Sequence, residues 1–203
     1  MFDVLKKTWA QRKLSDSQYA HLFDEHPDEL VSFDCETTSL NVKEAEILSI
    51  GAVKIRDNKV LTSDAFYVVV KPEGIMQASN VKVHGLRPKD VSGGVPVQDA
   101  VRQLLDYIGG RPLVGYYLEY DMALVNKFLK PMMGIKLPNR SIEVSGIYYD
   151  QELKNNPDGY VDLRMATIID KLKFPDLPRH DALNDSINVA LMYLALLARG
   201  KRS

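Results

Sequence analysis

Two carboxylates, Asp34 and Glu36, stand in the run VSFDCETTSL (residues 31–40), whose other residues read as a buried strand. Side chains alternate along a strand, so both acids project from one face, about 6 to 7 Å apart, while Cys35 faces the other way. Two bare carboxylates side by side lose hydration and repel one another. Protonation, pairing with cations or a shared metal ion relieves this. A D-x-E triplet alone is equally accounted for by solvated acids at a strand end or by an Asp that caps a turn.

Other acids interrupt apolar faces elsewhere. In HDALNDSINVALMYLALLARGK, Ala182, Asp185, Val189, Met192 and Leu196 form one helical stripe, beside a second of Leu183, Ile187, Leu191 and Leu194. Asp121 shares a stripe with Val125 and Phe128 in EYDMALVNKFLKPMMG, just after the strand-like PLVGYY. Each of these acids is also accounted for by the helix dipole, which favours negative charge in a first turn. Their joint occurrence asks for a single cause. A two-metal site needs several carboxylates converging from different elements, because cations about 3.5 to 4 Å apart repel unless negative ligands lie between them. Hard oxygen donors select magnesium or manganese over zinc. His180, shortly before Asp185, is the residue type for a general base that takes a proton from an attacking water. A surface histidine at a helix start is the plainer alternative.

The elements that must position these residues follow from periodicity. Three strand-like runs, ELVSFDCE, EILSIGAVKI and AFYVVVKP, are joined by short connections, including the polar turn RDNK, and read as antiparallel. The Gly-, Pro-, Ser- and Asn-rich segment PEGIMQASNVKVHGLRPKDVSGGVP is the kind of long loop that edges a site. Val97, Val101, Leu104, Leu105 and Ile108 have helical spacing ended by a Gly pair. After the short strand PLVGYY, a helix is expected to stop at Pro131 and Gly134. SIEVSGIYYDQEL is ambiguous, VDLRMATIIDKLKF predicts a helix, and PDLPR breaks the chain before the last and strongest helix. Three antiparallel strands followed by alternating helix and strand predict an α/β fold, a mixed sheet with helices on its faces. Residues 1–28 are expected to form a helical extension, 29–199 the main domain and 200–203 a basic tail.

Composition narrows the classes. With 203 residues, 45% hydrophobic and 26% charged, the chain reads as one globular domain. No segment reads as a signal peptide or a membrane span, so a cytoplasmic protein without a membrane partner is expected. A single cysteine excludes an internal disulfide and argues against thiolate-bound zinc. A net charge of −1 argues against a protein that coats long duplex DNA. It leaves room for a site that grips one strand end, with divalent cations supplying positive charge.

Taken together, these residues resemble the DEDD exonuclease superfamily, in the branch with a histidine in its third motif, and most closely the proofreading epsilon subunits of bacterial DNA polymerase III. The first motif is FDCETTSL, continued by ILSIGAVKI; the second is LVGYYLEYD, ending in Asp121; the third is HDALND, His180 to Asp185. VHGLRPKDV also resembles a segment of that family, and the likeness runs over roughly residues 30–197. The resemblance implies a ribonuclease H-like fold and removal of nucleoside 5′-monophosphates from the 3′ end of single-stranded DNA or RNA or of short oligonucleotides. It implies two Mg2+ or Mn2+ ions held by Asp34, Glu36, Asp121 and Asp185, with His180 as the base. Thr37, Thr38 and Leu40 would meet the terminal nucleotide, with His84 near it. One departure stands out: Tyr116 and Tyr117 occupy the positions where the family usually carries His-Asn. A stacking surface for a base or simple core packing both account for them. Whether the protein acts alone or on a DNA polymerase subunit stays open.

Two rivals are weaker. An all-helical HD phosphohydrolase needs further metal-binding histidines, and this chain has only His21, His26 and His84 besides His180. A catalytically weak ribonuclease H-like module, serving as a scaffold or a polymerase-associated protein, is opposed by the intact set of four acids and a histidine.

Overall fold

The computed structural model describes residues 2–74, 86–175 and 177–201. A mixed sheet of five strands, in the order β3-β2-β1-β4-β5, carries the molecule. β1 (Glu29–Thr37), β2 (Ile47–Arg56) and β3 (Lys59–Val69) form an antiparallel meander, and the two short strands β4 (Leu113–Gly115) and β5 (Ser141–Glu143) add in parallel beside β1. This is the expected α/β architecture. Asp57 and Asn58 both take positive φ (52° and 57°), the backbone that a two-residue hairpin turn requires, so RDNK closes β2 onto β3. β3 begins at Lys59, earlier than the apolar run AFYVVVKP suggests, because cross-strand pairing with Arg56 starts directly after the turn.

Helices cover both faces. On one lie α3 (Val97–Ile108) and α4 (Leu118–Met133), with Val97, Val101, Leu104, Leu105 and Ile108 all buried, as their spacing predicts. The other is covered by α5 (Val144–Asn155), α6 (Met165–Leu172) and α7 (Ala182–Gly200), whose stripe Ala182, Asp185, Val189, Met192 and Leu196 is buried throughout. α2 is a single turn, Pro88–Val91. Ahead of the sheet, α1 (Phe2–Lys13) and a 3-10 helix (Ser17–Phe23) form the N-terminal segment. Tyr19, Leu22 and Phe23 of that segment are buried in the core beside α3, so its second half is part of the main hydrophobic cluster.

Two local expectations change, and one ambiguous segment is resolved. Pro131 does not stop α4, which continues to Met133 and ends at Gly134 (φ 74°). A proline in the last turn removes one backbone donor without preventing the left-handed glycine cap that terminates the helix. The helix expected over VDLRMATIIDKLKF is confined to Met165–Leu172, because the Asp162 carboxylate accepts the Arg164 N–H and the Thr167 hydroxyl and holds the chain in a turn. SIEVSGIYYDQEL divides into β5 and α5. His84 lies outside the described residues. No helix of the described residues is long and apolar enough to cross a membrane.

Candidate active site

Alternation along β1 turns Cys35 into the core beside α3 and α4 and leaves Asp34 and Glu36 on the face covered by α7. Their third partner depends on how closely α7 approaches the sheet. Gly51 is the cross-strand neighbour of Asp34, and a Cβ there would stand 2.3 Å from the backbone of Ala182 and Leu183. The bare glycine therefore lets the first turn of α7 rest on β2, which brings Asp185 to the two strand acids. Carboxylate oxygens of Asp34, Glu36 and Asp185 all lie within 4.8 Å of one another.

Asp121 arrives from the opposite layer. β4 pairs with β1 only at Val31 and Ser32, so the sheet is open beyond its end. There the Cys35 N–H donates to Asp121 Oδ1 at 3.1 Å, a side chain standing in for the missing strand. The turn ahead of α4 is closely specified. Tyr117 is left-handed (φ 59°) and offers no side-chain cap, and Glu143 at the end of β5 accepts the Leu118 N–H at 2.9 Å in its place. Asp121 stands beside the three-acid group rather than within it.

His180 is exposed, with φ 66°, and its backbone N–H donates to Asp185 Oδ2 at 2.8 Å. Asp181 caps α7 by accepting the Asn184 N–H. The other oxygen of Asp185 is buried without a hydrogen-bond partner. Electrostatics match this crowding. Burial, followed by the charges of Asp121, Asp185 and Glu36, pushes Asp34 well above the usual carboxylate range. Burial and the charges of Asp185 and Asp181 raise Glu36 to about 7. Burial raises Asp121 to about 8 against the opposing Cys35 N–H, and it raises Asp185 against the His180 N–H. A set of acids that resists ionisation and leaves a buried carboxylate oxygen unpartnered fits a divalent cation held by Asp34, Glu36 and Asp185.

A cavity of about 580 Å³ gathers the expected residues. Its lining includes the four acids, His180, Thr37, Thr38, Leu40, Tyr116 and Tyr117. The tyrosines have parted roles: Tyr116 is half-buried with its hydroxyl donating to Leu163 O at 2.7 Å, whereas Tyr117 is 68% exposed and stacks on Tyr120 with ring centroids 6.2 Å apart. The Tyr120 hydroxyl reaches both Thr37 Oγ1 (2.8 Å) and Ser39 O, tying α4 to the loop after β1. Thr38 is bonded to the Glu46 backbone through both its N–H and its hydroxyl, and Leu40 projects 85% exposed. Gly51, Tyr120 and Glu143 are absent from the sequence-based site. Of these, only Gly51 carried a signal, as a glycine inside the otherwise apolar strand ILSIGAVKI.

Comparison with known proteins agrees with the geometry. The chain is 26% identical over 174 residues to the PolC-type DNA polymerase III of Caldanaerobacter subterraneus subsp. tengcongensis, a match spanning 84% of this chain and 12% of that protein. With the DNA polymerase III epsilon subunit of Aquifex aeolicus it shares 24% identity over 112 residues, 55% of this chain and 54% of that one. The chain thus spans about a tenth to a half of the length of these relatives. Among solved structures, cell-death related nuclease 4 superposes with a TM-score of 0.73 at 17% identity, over 85% of this chain and 64% of the other. E. coli exonuclease I in complex with a dT13 oligonucleotide superposes with a TM-score of 0.72 at 13% identity, over 86% and 42%. These structures establish a shared ribonuclease H-like fold. A family model described as exonuclease matches residues 31–193, which contain all four acids and His180, and the chain belongs to that exonuclease family.

Proposed function

We propose that the chain is a divalent-metal-dependent 3′–5′ exonuclease that releases nucleoside 5′-monophosphates from the 3′ end of single-stranded DNA or short oligonucleotides. The approach of Asp34, Glu36 and Asp185 to within 4.8 Å, beside His180 and at the wall of an open cavity, carries this reading. All-oxygen donors favour Mg2+ or Mn2+. Asp34, Glu36 and Asp185 would hold one ion, and Asp34 with Asp121 would support a second. Bound there, the ions would supply stabilisation for negative charge developing on the phosphoryl oxygens and on the leaving 3′ oxygen.

The chain's own residues do the rest. His180, exposed on a left-handed turn anchored to Asp185, accepts a proton from the attacking water. Thr37, Thr38 and Leu40 form the wall that meets the terminal nucleotide, and His84 is assigned to the same end. Tyr117 offers a stacking face to a base, while Tyr116 packs half-buried with its hydroxyl bonded to Leu163 O. The catalytic unit is assigned to residues 29–199, with 1–28 as an N-terminal extension and 200–203 as a basic tail. A net charge of −1 favours a strand end over long duplex. A cytoplasmic setting and a DNA polymerase partner accord with the polymerase subunits among the relatives.

Incubation with 3′- and 5′-labelled single-stranded DNA and RNA, with and without Mg2+, tests the proposal. The expected result is a ladder shortened stepwise from the 3′ end of DNA, dependent on metal and absent in Asp34→Ala. A ladder that persists in Asp34→Ala, or cleavage from the 5′ end, overturns it.

A further inference from the structure

A second cavity, of about 1060 Å³, opens at the opposite edge of the parallel strands. Pro27, Pro112 and Ser141, which precede or begin β1, β4 and β5, line it, whereas the acidic site lies where β1 and β4 end. Ser141 stands level with Val31, three residues before Asp34, so the nearest lining of the two cavities is offset by about 10 Å along the strands. The volume is at the upper end of the range for small-molecule sites.

Two features of its wall point to one ligand chemistry. Trp9 of α1 lines it while remaining 61% exposed, and Lys13 Nζ lies 3.7 Å from the ring centroid, which holds the indole from one face and leaves the other free to stack. Lys130, Lys136 and Arg140 are exposed on the lining without an ion-pair partner among the described residues, and Glu25 is the single carboxylate there.

We propose that this cavity binds a nucleoside phosphate, with the base against Trp9 and the phosphates on Lys130, Lys136 and Arg140. A stacking ring beside a cluster of exposed cations is the recognition set for a base joined to phosphate, and neither of them alone requires both halves of such a ligand. The site is separate from the acidic cluster and does not need metal.

Trp9 is the only tryptophan of the chain, so its fluorescence reports on this cavity alone. The test titrates ADP into the Asp34→Ala chain in EDTA, which keeps the metal site silent. Saturable quenching with a Kd below about 1 mM is expected. The affinity should weaken at least about tenfold in a Lys136→Glu, Arg140→Glu double variant and, independently, in Lys130→Glu, with thermal melts confirming that each is folded. Three results overturn the proposal: no quenching by ADP, quenching unchanged in both charge variants, or equal binding of inorganic phosphate or of an oligoglutamate peptide.

Discussion

Asp185 accepts the backbone N–H of His180 at 2.8 Å, so a carboxylate of the acidic cluster also holds the loop that presents the histidine. One side chain thus serves two parts of the site. Asp185→Asn keeps an oxygen for that hydrogen bond and removes the charge; Asp185→Ala removes both. Exonuclease activity is expected to fall at least about a hundredfold in each. Their melting temperatures should differ, with the Asn variant at or above the parent because repulsion among the acids is relieved, and the Ala variant below it. Equal activity of parent and Asn variant would remove Asp185 from the metal site.

Stability of the metal-free chain is expected to fall between pH 5 and pH 8. Glu36, raised from an ordinary value of 4.5 to about 7, and Asp121, raised from 3.8 to about 8, keep protons in the folded state that the unfolded chain has already released. Where the folded state binds more protons than the unfolded state, stability declines as pH rises, and the decline levels off above the folded pKa values. Lowered acids such as Asp162 and Asp90 act in the opposite sense only at more acidic pH, since they are ionised in both states throughout this window. Mg2+ or Mn2+ should therefore raise the melting temperature more at pH 8 than at pH 5. Melts in EDTA and in metal across this range decide it; a metal-free melting temperature that climbs toward pH 8 refutes it.

Gly51→Ala should damage both fold and function. A methyl group 2.3 Å from the Ala182 carbonyl carbon and the Leu183 nitrogen has only backbone to push against, so α7 must lift from β2 and carry Asp185 away from Asp34. Such overpacking costs about 1 to 3 kcal/mol. Denaturant unfolding measures the loss, and weaker Mn2+ binding measures the displacement of the acid. A variant as stable and as active as the parent would show that the helix does not depend on this contact.

The two tyrosines of the second motif are separable. Tyr116→Phe deletes a hydrogen bond to Leu163 O and should lower stability by about 1 kcal/mol while leaving KM unchanged. Tyr117→Ala removes an exposed ring and should leave stability nearly intact. Its KM for single-stranded DNA should rise between about fivefold and a hundredfold, the range expected for loss of one base stack. A Tyr117→Ala enzyme with unaltered KM would exclude the stacking role.

Glu143→Ala leaves the Leu118 N–H without its acceptor at the start of α4. Loss of a helix cap costs about 1 kcal/mol, and Asp121 lies in the turn that follows. Reduced kcat with little change in KM is expected, and Glu143→Gln, whose single oxygen can accept from Leu118 N–H or from Ser145 N–H but not from both, should recover only part of it. An unchanged kcat in Glu143→Ala would show that the placement of Asp121 does not depend on this cap.

Local pattern carried a large part of this protein. Period-two alternation alone places Asp34 and Glu36 on one face with Cys35 on the other, and helical spacing alone marks Asp121 and Asp185 as acids on faces otherwise turned inward. The antiparallel pairing of the first three strands also followed from connection length. Tertiary structure decided the rest, because those relations join residues distant in the chain. The backbone of α7 rests on Gly51, Glu143 supplies the cap that Tyr117 lacks, and Asp121 replaces a strand where β4 ends. Periodicity reports which way a side chain faces within its own element. How near two elements come is set by what packs between them, and at Gly51 the answer is a missing methyl group.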